Sequence, residues 1–594
     1  MPSRRSRKDL GGDMIHIKLN GRELEVKENQ TIYNICKENH IHIPTLCHLN
    51  LNQIGYFNMS GSCRVCVVEL KNQDGKLVTS CNTVATEGMD IVTHSPKAVK
   101  SRKTVIELLL SDHPNDCLYC DKNNNCELQT LASDLGVRQQ RFTGERSTFE
   151  INPHSSPSIV HDPNKCILCR RCETMCSMIQ TVHALGPSDR GFETKIGPVF
   201  NMNLTDTVCT SCGQCVTVCP TGALMEKSSI DHVWDALEDK HTVVIAQTAP
   251  AVRVALGEEF GYEPGTDVEG KMVAALKELG FDYVFDTNFA ADLTIVEEGN
   301  ELLERLQAGG PFPIITSCCP AWVNFMETQY NDMIQYVSTC KSPHQMNGAV
   351  AKNFFAEKIG VDPKHIVVVS VMPCVAKKFE NSREELAGDW GKDVDYVITT
   401  RELGRMVKEA AIGFNALEEK AFDSPMGFSS GGADIFGATG GVIEAALRSV
   451  YDKLTDGEEM GVLEFEELHG WKGIKKTRVN IAGTDYNIAV TNGLGNVRRL
   501  MEEVRNGNSN LHAIEVMACP GGCIGGGGQP YHHGDYEILE KRAKALFDKD
   551  KDKDVRISHY NPSIISLYED FLGQPGSELA HKLLHTHYVV KPKI

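Results

Sequence analysis

The sequence predicts a multidomain protein in which small α+β domains precede a large, two-lobed α/β domain with parallel sheets. Up to about residue 220, strand-like and helix-like segments are short and rich in cysteine. From Thr242 onward, buried strands alternate with amphipathic helices, which is typical of an α/β architecture. The 594 residues suggest roughly four domains. With the motifs added, we expect a disordered extension at 1–13, followed by domains at 14–95, 96–150, 151–234, 235–534 and 535–594.

Composition limits the classes of partner and the location. The formal net charge of −18 argues against nucleic acid, because phosphate contacts need clustered Lys and Arg. No apolar run approaches the roughly 20 residues of a membrane helix, and no hydrophobic segment follows the pair Arg4 and Arg5. We therefore expect a cytoplasmic protein without a membrane span. There, 22 cysteines indicate metal ligation or catalysis rather than disulfides.

The first cysteine group comprises Cys47, Cys63, Cys66 and Cys81. It lies beside a predicted hairpin (IHIKLNGRELEV), a helix (TIYNICKEN) and a further strand (CRVCVVEL). A C-x2-C pair with two outlying cysteines suits a [2Fe-2S] cluster, with zinc as the alternative. The arrangement resembles the β-grasp, plant-type ferredoxin-like domain of respiratory complex I and of hydrogenases. Cys36, on the predicted helix, is interpreted as a core thiol.

The second group comprises His113, Cys117, Cys120 and Cys126, spaced H-x3-C-x2-C-x5-C. It resembles the His-ligated [4Fe-4S] site of complex I and hydrogenases. An imidazole in place of a thiolate removes a negative charge and is expected to shift the cluster potential. The alternative is a solvent-exposed His113 before Pro114.

Two further groups repeat the spacing C-x2-C-x2-C-x3-C of bacterial two-cluster ferredoxins. In that pattern the fourth cysteine of each run ligates the other cluster. One [4Fe-4S] cluster is then expected on Cys166, Cys169, Cys172 and Cys219. The other is expected on Cys209, Cys212, Cys215 and Cys176. Together the four groups predict a chain of electron-transfer clusters.

In the α/β region, cysteines follow three predicted strands, in TSCCPAW (316–322), MPCVAKKFE (372–380) and EVMACPGGCIGGGGQP (515–530). The carboxyl ends of strands in open α/β sheets gather ligands, and the helix N-termini that follow offer N–H donors. Four cysteines from three segments are enough for one more [4Fe-4S] cluster.

These three segments resemble the signature motifs of the [FeFe]-hydrogenases. The resemblance implies an H-cluster whose cubane is bound by Cys319, Cys374, Cys519 and Cys523. Cys523 would also bridge to a two-iron subcluster that carries CO, cyanide and a dithiolate amine. Lys377 would donate a hydrogen bond to a cyanide ligand. The pocket-lining positions would be Ala249, Pro250, Met372 and Met517, although the two methionines taken alone are more often plain core.

The same resemblance implies a proton path that runs through Cys318, Glu298, Ser338 and Glu301. Glu298 and Glu301 lie three residues apart, so they share a face of one predicted helix. The alternative for the two glutamates is a solvated helix face. With these assignments, only Cys36 and Cys340 of the 22 cysteines remain without a role.

Module order implies the catalytic subunit of a multimeric NAD(P)-linked, electron-bifurcating hydrogenase. Such enzymes add a flavoprotein subunit that oxidises NAD(P)H, a small thioredoxin-like [2Fe-2S] subunit, and ferredoxin as a partner. A stand-alone ferredoxin-dependent enzyme, a complex I or formate dehydrogenase electron-transfer subunit, and a non-catalytic assembly or sensory relative are the alternatives. Retention of Cys318 favours turnover.

One residue and one segment depart from the sequence patterns of known families. His344 stands where the family usually carries Gln, and we expect a neutral hydrogen-bonding substitute. GLGNVR (493–498) lacks the full dinucleotide fingerprint, so it predicts a tight turn rather than a nicotinamide site.

Overall fold

The computed structural model describes residues 14–591, apart from positions 57, 59, 60, 456, 458–467, 471 and 472. The predicted extension at 1–13 lies outside the described residues. Within the described ranges, no helix is both long and apolar enough to cross a bilayer.

The first domain is a five-stranded β-grasp sheet. Its elements are β1 (Met14–Leu19), β2 (Arg22–Lys27), α1 (Ile32–Glu38), β3 (Val67–Leu70), β4 (Lys76–Thr79) and β5 (Asp90–Val92). The predicted hairpin forms as β1 and β2, and β5 pairs parallel to β1. The strand order is β2-β1-β5-β3-β4. Helix α1 begins after Thr31, whose hydroxyl accepts from the N–H of Asn34, and it buries Cys36 completely in the core beneath the sheet.

A linking region carries the next three cysteine groups. Its elements are α2 (Pro96–Ser111), α3 (Glu127–Asp134), β6 (Ile159–His161), α4 (Arg171–Thr174), β7 (Gly186–Ser188), β8 (Lys195–Gly197), α5 (Gln214–Val218), β9 (Leu224–Glu226) and α6 (Ile230–Glu238). Strands β6 and β9 pair antiparallel. This pairing joins the start and the end of the two-cluster ferredoxin-like segment, so the two cysteine runs fold as one unit.

The large α/β domain contains two four-stranded sheets. Its strands are β10 (Val243–Thr248), β11 (Tyr283–Asp286), β12 (Ile314–Ile315), β13 (Ile366–Met372), β14 (Tyr396–Thr399), β15 (Ile474–Ile481), β16 (Thr484–Asn492) and β17 (Ala513–Met517). The first sheet, in the order β11-β10-β13-β14, is entirely parallel. The second has the order β12-β17-β16-β15.

The helices of this domain cover the sheets and connect their strands. They are α7 (Pro250–Arg253), α8 (Glu269–Glu278), α9 (Thr287–Ala308), α10 (Pro320–Gln329), α11 (Pro343–Val350), α12 (Ala356–Ile359), α13 (Ala376–Glu380), α14 (Thr400–Glu409), α15 (Gly431–Asp434), α16 (Gly441–Leu454) and α17 (Leu494–Arg505). Helix α9 ends at Gly309, as predicted, in the left-handed conformation (φ 77°) that glycine adopts without strain.

The edge strand β15 is the exception to the parallel order of the two sheets, because it runs antiparallel to β16. The connection between them is only Ala482 and Gly483, both with positive φ. A two-residue turn of this kind matches the twist of an antiparallel hairpin and is too short for a parallel crossover.

The predicted turn GLGNVR leads from β16 into α17. At the start of α17, a backbone donor already has a partner in the protein: the N–H of Leu494 donates to the side-chain oxygen of Gln180 at 2.8 Å. A Cβ on Gly495 would lie 2.6 Å from the carbonyl oxygen of Ile179. The glycine therefore allows close packing against the ferredoxin-like domain, and the prediction of a tight turn is confirmed.

The last segment forms α18 (Glu537–Lys551), α19 (Pro562–Leu567) and α20 (Glu578–Leu584). In α18, the fully buried Arg542 donates to Glu258 at 2.7 Å and to the carbonyl oxygen of Ile524 at 2.8 Å. Such a buried cation is held by its partners, so this segment is an integral part of the large domain.

A buried ion cluster connects the helices around the first sheet. Arg253, at the end of α7, is completely buried and pairs with Asp286 at 2.6 Å and with Glu269. Asp434 lies 3.5 Å from the same guanidinium. Asp286 also begins α9 by accepting from the N–H of Asn288 at 3.0 Å.

We expect Arg253→Leu to destabilise this region by on the order of 3–5 kcal/mol, because it leaves buried carboxylates without their cation. Hydrogen–deuterium exchange of the α9 amides reports the local opening free energy. The control is Lys408→Leu, which removes a partly exposed partner of Glu259 and should cost no more than about 1 kcal/mol. Equal protection of α9 in the two variants would contradict the assignment.

Candidate active site and cysteine clusters

The five cysteines of the predicted catalytic motifs line a single buried cavity between the two sheets. Each follows the carboxyl end of a strand: two follow β12, one follows β13 and two follow β17. The cavity also brings together the other residues singled out for this pocket. The predicted residues that line it are Ala249, Pro250, Cys318, Cys319, Met372, Cys374, Lys377, Met517, Cys519 and Cys523.

Backbone donors reach the cavity from the segments that follow the strands. Cys319 is the residue before α10, whose first residue is Pro320, and its Sγ accepts from the N–H of Ala518 at 3.4 Å. Helix starts carry a partial positive charge, which favours thiolates. Burial nevertheless raises the pKa of the Cys319 thiol, so this donor offsets only part of the cost of a buried thiolate.

The glycine run after Cys523 allows close backbone packing around the cavity. Gly526 lines the cavity, but a Cβ there would lie 2.2 Å from the carbonyl oxygen of Pro373. A Cβ on Gly527 would lie 2.9 Å from the Cα of Gly213, in the ferredoxin-like domain. The glycines thus allow that domain to pack directly against the cavity wall.

Lys377 is held at the cavity by two acceptors. Its ammonium donates to the carbonyl oxygen of Cys318 at 3.2 Å and to the carboxylate of Glu380 at 2.7 Å. Burial lowers the pKa of Lys377, but the Glu380 carboxylate outweighs it, so that the pKa is raised. The lysine therefore stays a cation inside a dry pocket.

His344 completes this network. Its Nε2 lies 2.6 Å from Glu380 and its Nδ1 lies 3.1 Å from the hydroxyl of Ser370. Burial lowers the pKa of His344 to about 4, so the ring is neutral at pH 7. This agrees with the expected neutral hydrogen-bonding residue.

The predicted proton-path residues begin at the cavity with Cys318 and end at Glu301, which is partly exposed. Burial and the nearby Glu298 carboxylate raise the pKa of the Cys318 thiol. Glu298 is buried on α9, which excludes a solvated face for this residue. Burial and Glu301 raise the pKa of Glu298 to about 7. The hydroxyl of Ser338 donates to Glu301 at 3.0 Å.

Further polar residues around Glu301 were missed by the sequence analysis. Arg305 donates to Glu301 at 2.5 Å, and the N–H of Thr339 donates to it at 3.0 Å. The C-terminal segment adds His585, which lies 2.8 Å from the hydroxyl of Thr339. Arg305 was detectable as the residue four positions after Glu301 on the same helix. His585 was not, because it is 284 positions away from Glu301.

In the first domain, the four predicted cysteines form one hydrogen-bonded group. Hydrogen bonds from the thiols of Cys63 and Cys81 lower the pKa of Cys47. A hydrogen bond from Cys81 lowers the pKa of Cys66 to about 7. The four thiols are therefore linked to one another by hydrogen bonds, with Cys81 between Cys47 and Cys66.

His113 is buried beside the second group, which contradicts the alternative of a solvent-exposed ring. Its Nδ1 accepts from the N–H of Asn115 at 3.3 Å, while its buried Nε2 has no hydrogen-bond partner. A buried, unpartnered ring nitrogen is costly, and it suits a metal ligand.

The two ferredoxin-like runs exchange their last cysteines. Burial and the neighbouring Cys169, Cys219 and Cys166 raise the pKa of Cys172. Burial and the neighbouring Cys212, Cys209 and Cys176 raise the pKa of Cys215. The structure thus brings Cys219 to the first run and Cys176 to the second.

The cysteine groups also adjoin one another. Burial, Cys374, Cys319 and Cys212 raise the pKa of Cys519, so the second ferredoxin-like run lies near the cavity. At the other end, a Cβ on Gly222 would lie 2.8 Å from the Sγ of Cys120, so the His113 group abuts the ferredoxin-like domain. The groups form a continuous series that leads to the cavity.

Comparisons with known families match every part of this architecture. Residues 242–527 match the iron only hydrogenase large subunit, C-terminal domain, and residues 536–591 match the iron hydrogenase small subunit. Residues 12–96 match a 2Fe-2S iron-sulfur cluster binding domain, and 165–223 match a 4Fe-4S dicluster domain. Residues 102–141 match the NADH-ubiquinone oxidoreductase-G iron-sulfur binding region.

Similar proteins cover almost the whole chain. The NADP-reducing hydrogenase subunit HndD of Solidesulfovibrio fructosivorans is 52% identical over 588 residues, which are 98% of this chain and 100% of that protein. Iron hydrogenase 1 of Clostridium pasteurianum is 40% identical over 96% of this chain and 99% of its own. A solved variant of the [FeFe]-hydrogenase HydA1 from Chlamydomonas reinhardtii is 41% identical, with a TM-score of 0.56, and it covers 61% of this chain and 99% of its own.

Full-length similarity at this level, combined with a cavity that gathers all five signature cysteines, identifies the family. The alternative of a complex I or formate dehydrogenase electron-transfer subunit is thereby excluded. The chain belongs to the iron-only, or [FeFe], hydrogenases, oxidoreductases that act on H2.

Proposed function

We propose that this hydrogenase catalyses 2H+ + 2e− ⇌ H2 as the catalytic subunit of a multimeric, flavin-based electron-bifurcating enzyme linked to NAD(P)H and ferredoxin. The observation that carries the catalytic proposal is the single cavity with four convergent thiols and a fifth, Cys318, left for protons. The proposal that the enzyme has several subunits is supported by the alignment of nearly the full chain with a protein named as a subunit of an NADP-reducing hydrogenase.

The cavity residues fit an H-cluster. Thiolates are the usual ligands of iron–sulfur clusters, so Cys319, Cys374, Cys519 and Cys523 would hold the cubane, and Cys523 would also bridge to the two-iron subcluster. Lys377 would donate to a cyanide ligand through an ammonium proton that its two acceptors do not use. When bound, this cofactor supplies the iron at which protons and electrons combine. Ala249, Pro250, Met372 and Met517 would exclude water around it.

The N-terminal cysteine groups would hold one [2Fe-2S] and three [4Fe-4S] clusters. The first would use Cys47, Cys63, Cys66 and Cys81. The second would use His113, Cys117, Cys120 and Cys126. The remaining two would use the exchanged sets of the ferredoxin-like runs. Lys122 is buried near the second group, with its Nζ 3.0 Å from the ring centre of Tyr531. Burial and Arg401 lower the pKa of Lys122 to about 7, so this side chain is only partly charged at neutral pH.

Protons would travel through the side chains that lead away from the cavity. For H2 production, a proton would pass from Glu301 through Ser338 and Glu298 to the thiol of Cys318, and the reverse holds for H2 oxidation. Glu298 suits this role because burial brings its pKa near neutrality, where it both accepts and releases protons.

The multimeric proposal is tested by purification of the tagged chain from its native host under anaerobic conditions. We expect a flavoprotein that oxidises NAD(P)H and a small thioredoxin-like [2Fe-2S] subunit to co-purify. Isolation of the chain alone, with full ferredoxin-dependent turnover, would instead favour the stand-alone enzyme. Cell fractionation of the same culture tests the expected cytoplasmic location.

We expect Cys318→Ala to abolish H2 turnover, by at least about 100-fold, because it removes the proton donor beside the cofactor. Iron content and the infrared bands of CO and cyanide should remain. Cys36→Ala, a buried thiol of the first domain, is the matched control and should retain turnover. Wild-type-like rates in the Cys318 variant would refute its assigned role.

We expect His113→Cys to keep the iron content and to lower the potential of one [4Fe-4S] cluster, because a thiolate adds negative charge. His113→Ala should lose about four iron atoms per chain. Potentiometric titration followed by electron paramagnetic resonance, with iron analysis, measures both. His154→Ala alters an exposed histidine and should change neither. A full iron content with unchanged potentials in both His113 variants would argue against ligation.

We expect the free energy of unfolding of the wild type, measured relative to that of Glu298→Gln, to fall as the pH rises from 4.5 to 7. The folded pKa of Glu298 is about 7, above the ordinary value of 4.5, so the folded state binds this proton more tightly. The full stabilisation, on the order of 3 kcal/mol, is present below pH 4.5 and is lost as the pH rises through 7.

Urea denaturation of both proteins at pH 5 and pH 8 measures this difference. Glu304→Gln, on the exposed side of the same helix, is the control and should follow the wild type at both values. An identical pH dependence for Glu298→Gln and the wild type would show that Glu298 does not hold a proton near neutrality.

A further inference from the structure

The C-terminal segment forms one wall of the outer end of the proposed proton path. His585 pairs with Cys340 in an isolated antiparallel bridge, and the N–H of Thr586 donates to the carbonyl oxygen of Thr339 at 2.8 Å. Tyr588 donates its hydroxyl to the carbonyl oxygen of Ser338. The segment therefore lies directly along the residues that follow the cavity.

Glu301 has few ways to pass a proton onward. Arg305 covers one carboxylate oxygen at 2.5 Å. The other accepts from the hydroxyl of Ser338 and from the N–H of Thr339, each at 3.0 Å, and from the hydroxyl of Thr339 at 3.4 Å. The side chain is only 12% exposed. Besides Ser338 and Arg305, the exchangeable side-chain groups beside Glu301 among the described residues are the Thr339 hydroxyl and the Cys340 thiol, and the hydroxyl lies within hydrogen-bond distance of both Glu301 and the His585 ring.

Thr339 leads to His585. The hydroxyl lies 2.8 Å from Nδ1 of the imidazole, and Nε2 lies 3.1 Å from the carboxylate of Glu297. Glu297 is itself held by the hydroxyl of Tyr568 and by the N–H of Gly576 at 3.0 Å. When Nε2–H donates to this carboxylate, Nδ1 is left as the acceptor for the Thr339 hydroxyl.

We propose that His585 is a proton-relay residue that connects Glu301 to solvent through Thr339. This inference rests on the proposed proton path. In the outward step, the proton of the Glu301 carboxyl moves to the Thr339 oxygen while the Thr339 hydroxyl proton moves to Nδ1 of His585. The step leaves a Glu301 carboxylate and an imidazolium, with no change in redox state. The Glu297 carboxylate stabilises the imidazolium.

Solvent lies one side chain beyond His585. The ring of the exposed His581 packs against it at a tilt of 37°, with 4.2 Å between ring centres. A proton released there would reach bulk water, and the inward direction reverses the sequence. The other titratable and charged groups that face this relay are Glu297, Glu301, Arg305, Cys340, Lys453, Tyr568 and Tyr588.

The test uses the loaded holoenzyme and the variants His585→Gln and His585→Ala. We expect both to lose H2 turnover by on the order of 100-fold, with unchanged iron content and unchanged CO and cyanide infrared bands. Added imidazole should restore much of the rate of His585→Ala, because it supplies the missing proton carrier. Thr339→Val should slow turnover similarly, and combining it with His585→Gln should add little, since both break one relay.

The matched control is His587→Ala, which removes an exposed histidine two positions along the same segment and should turn over like the wild type. Wild-type rates in both His585 variants would overturn the relay. A loss that imidazole does not restore would assign His585 a structural role instead, which also overturns it. Failure of the proposed function is distinguishable, because Cys318→Ala would then remain active or the wild type would show no turnover.

Discussion

The convergence of strand carboxyl ends from two separate sheets on one buried cavity is the constraint on which the rest of the molecule depends. Thiols that follow β12, β13 and β17 meet there, although their segments are distant in sequence. In such a dry site a charge interacts several times more strongly than in water. This accounts for the position of Glu380, which pairs with both Lys377 and His344.

The second consequence of this arrangement is close domain contact. Electron transfer into a buried site requires that another cluster lie near it, and the backbone of Gly527 meets that of Gly213 without intervening side chains. The same pattern recurs at Gly495 against Ile179 and at Gly222 against Cys120. Glycine thus allows the ferredoxin-like domain to pack closely against its neighbours on both sides, and a side chain at these positions would displace backbone atoms or the Cys120 sulfur.

Helix α9 connects stability to proton transfer. Its first residues are anchored by Asp286, which pairs with the buried Arg253. Three turns later the helix presents Glu297, Glu298 and Glu301 to the proposed proton path and to the C-terminal segment. Because one rigid element carries both functions, the positions of these carboxylates are set by packing far from the cavity.

The cysteine spacing by itself predicted which thiols gather in the first group, in the two ferredoxin-like runs and around the cavity. In the structure, the four thiols of the first group lie beside one another, and Cys219 joins the first ferredoxin-like run while Cys176 joins the second. The five cysteines of the α/β motifs line one cavity. Such patterns are readable in sequence because a cluster needs ligands at short, fixed separations along the chain. Strand and helix alternation likewise predicted the two-lobed α/β domain.

Only the tertiary structure decided what lies between these centres. The antiparallel edge strand β15 depends on a two-residue turn, the contacts of the glycine run depend on domain packing, and burial of Glu298 depends on what covers α9. His585 is the clearest case, since it reaches Thr339 from the far end of the chain. Long-range contacts and burial carry no periodic signal in a sequence, because they are set by how finished elements pack against each other.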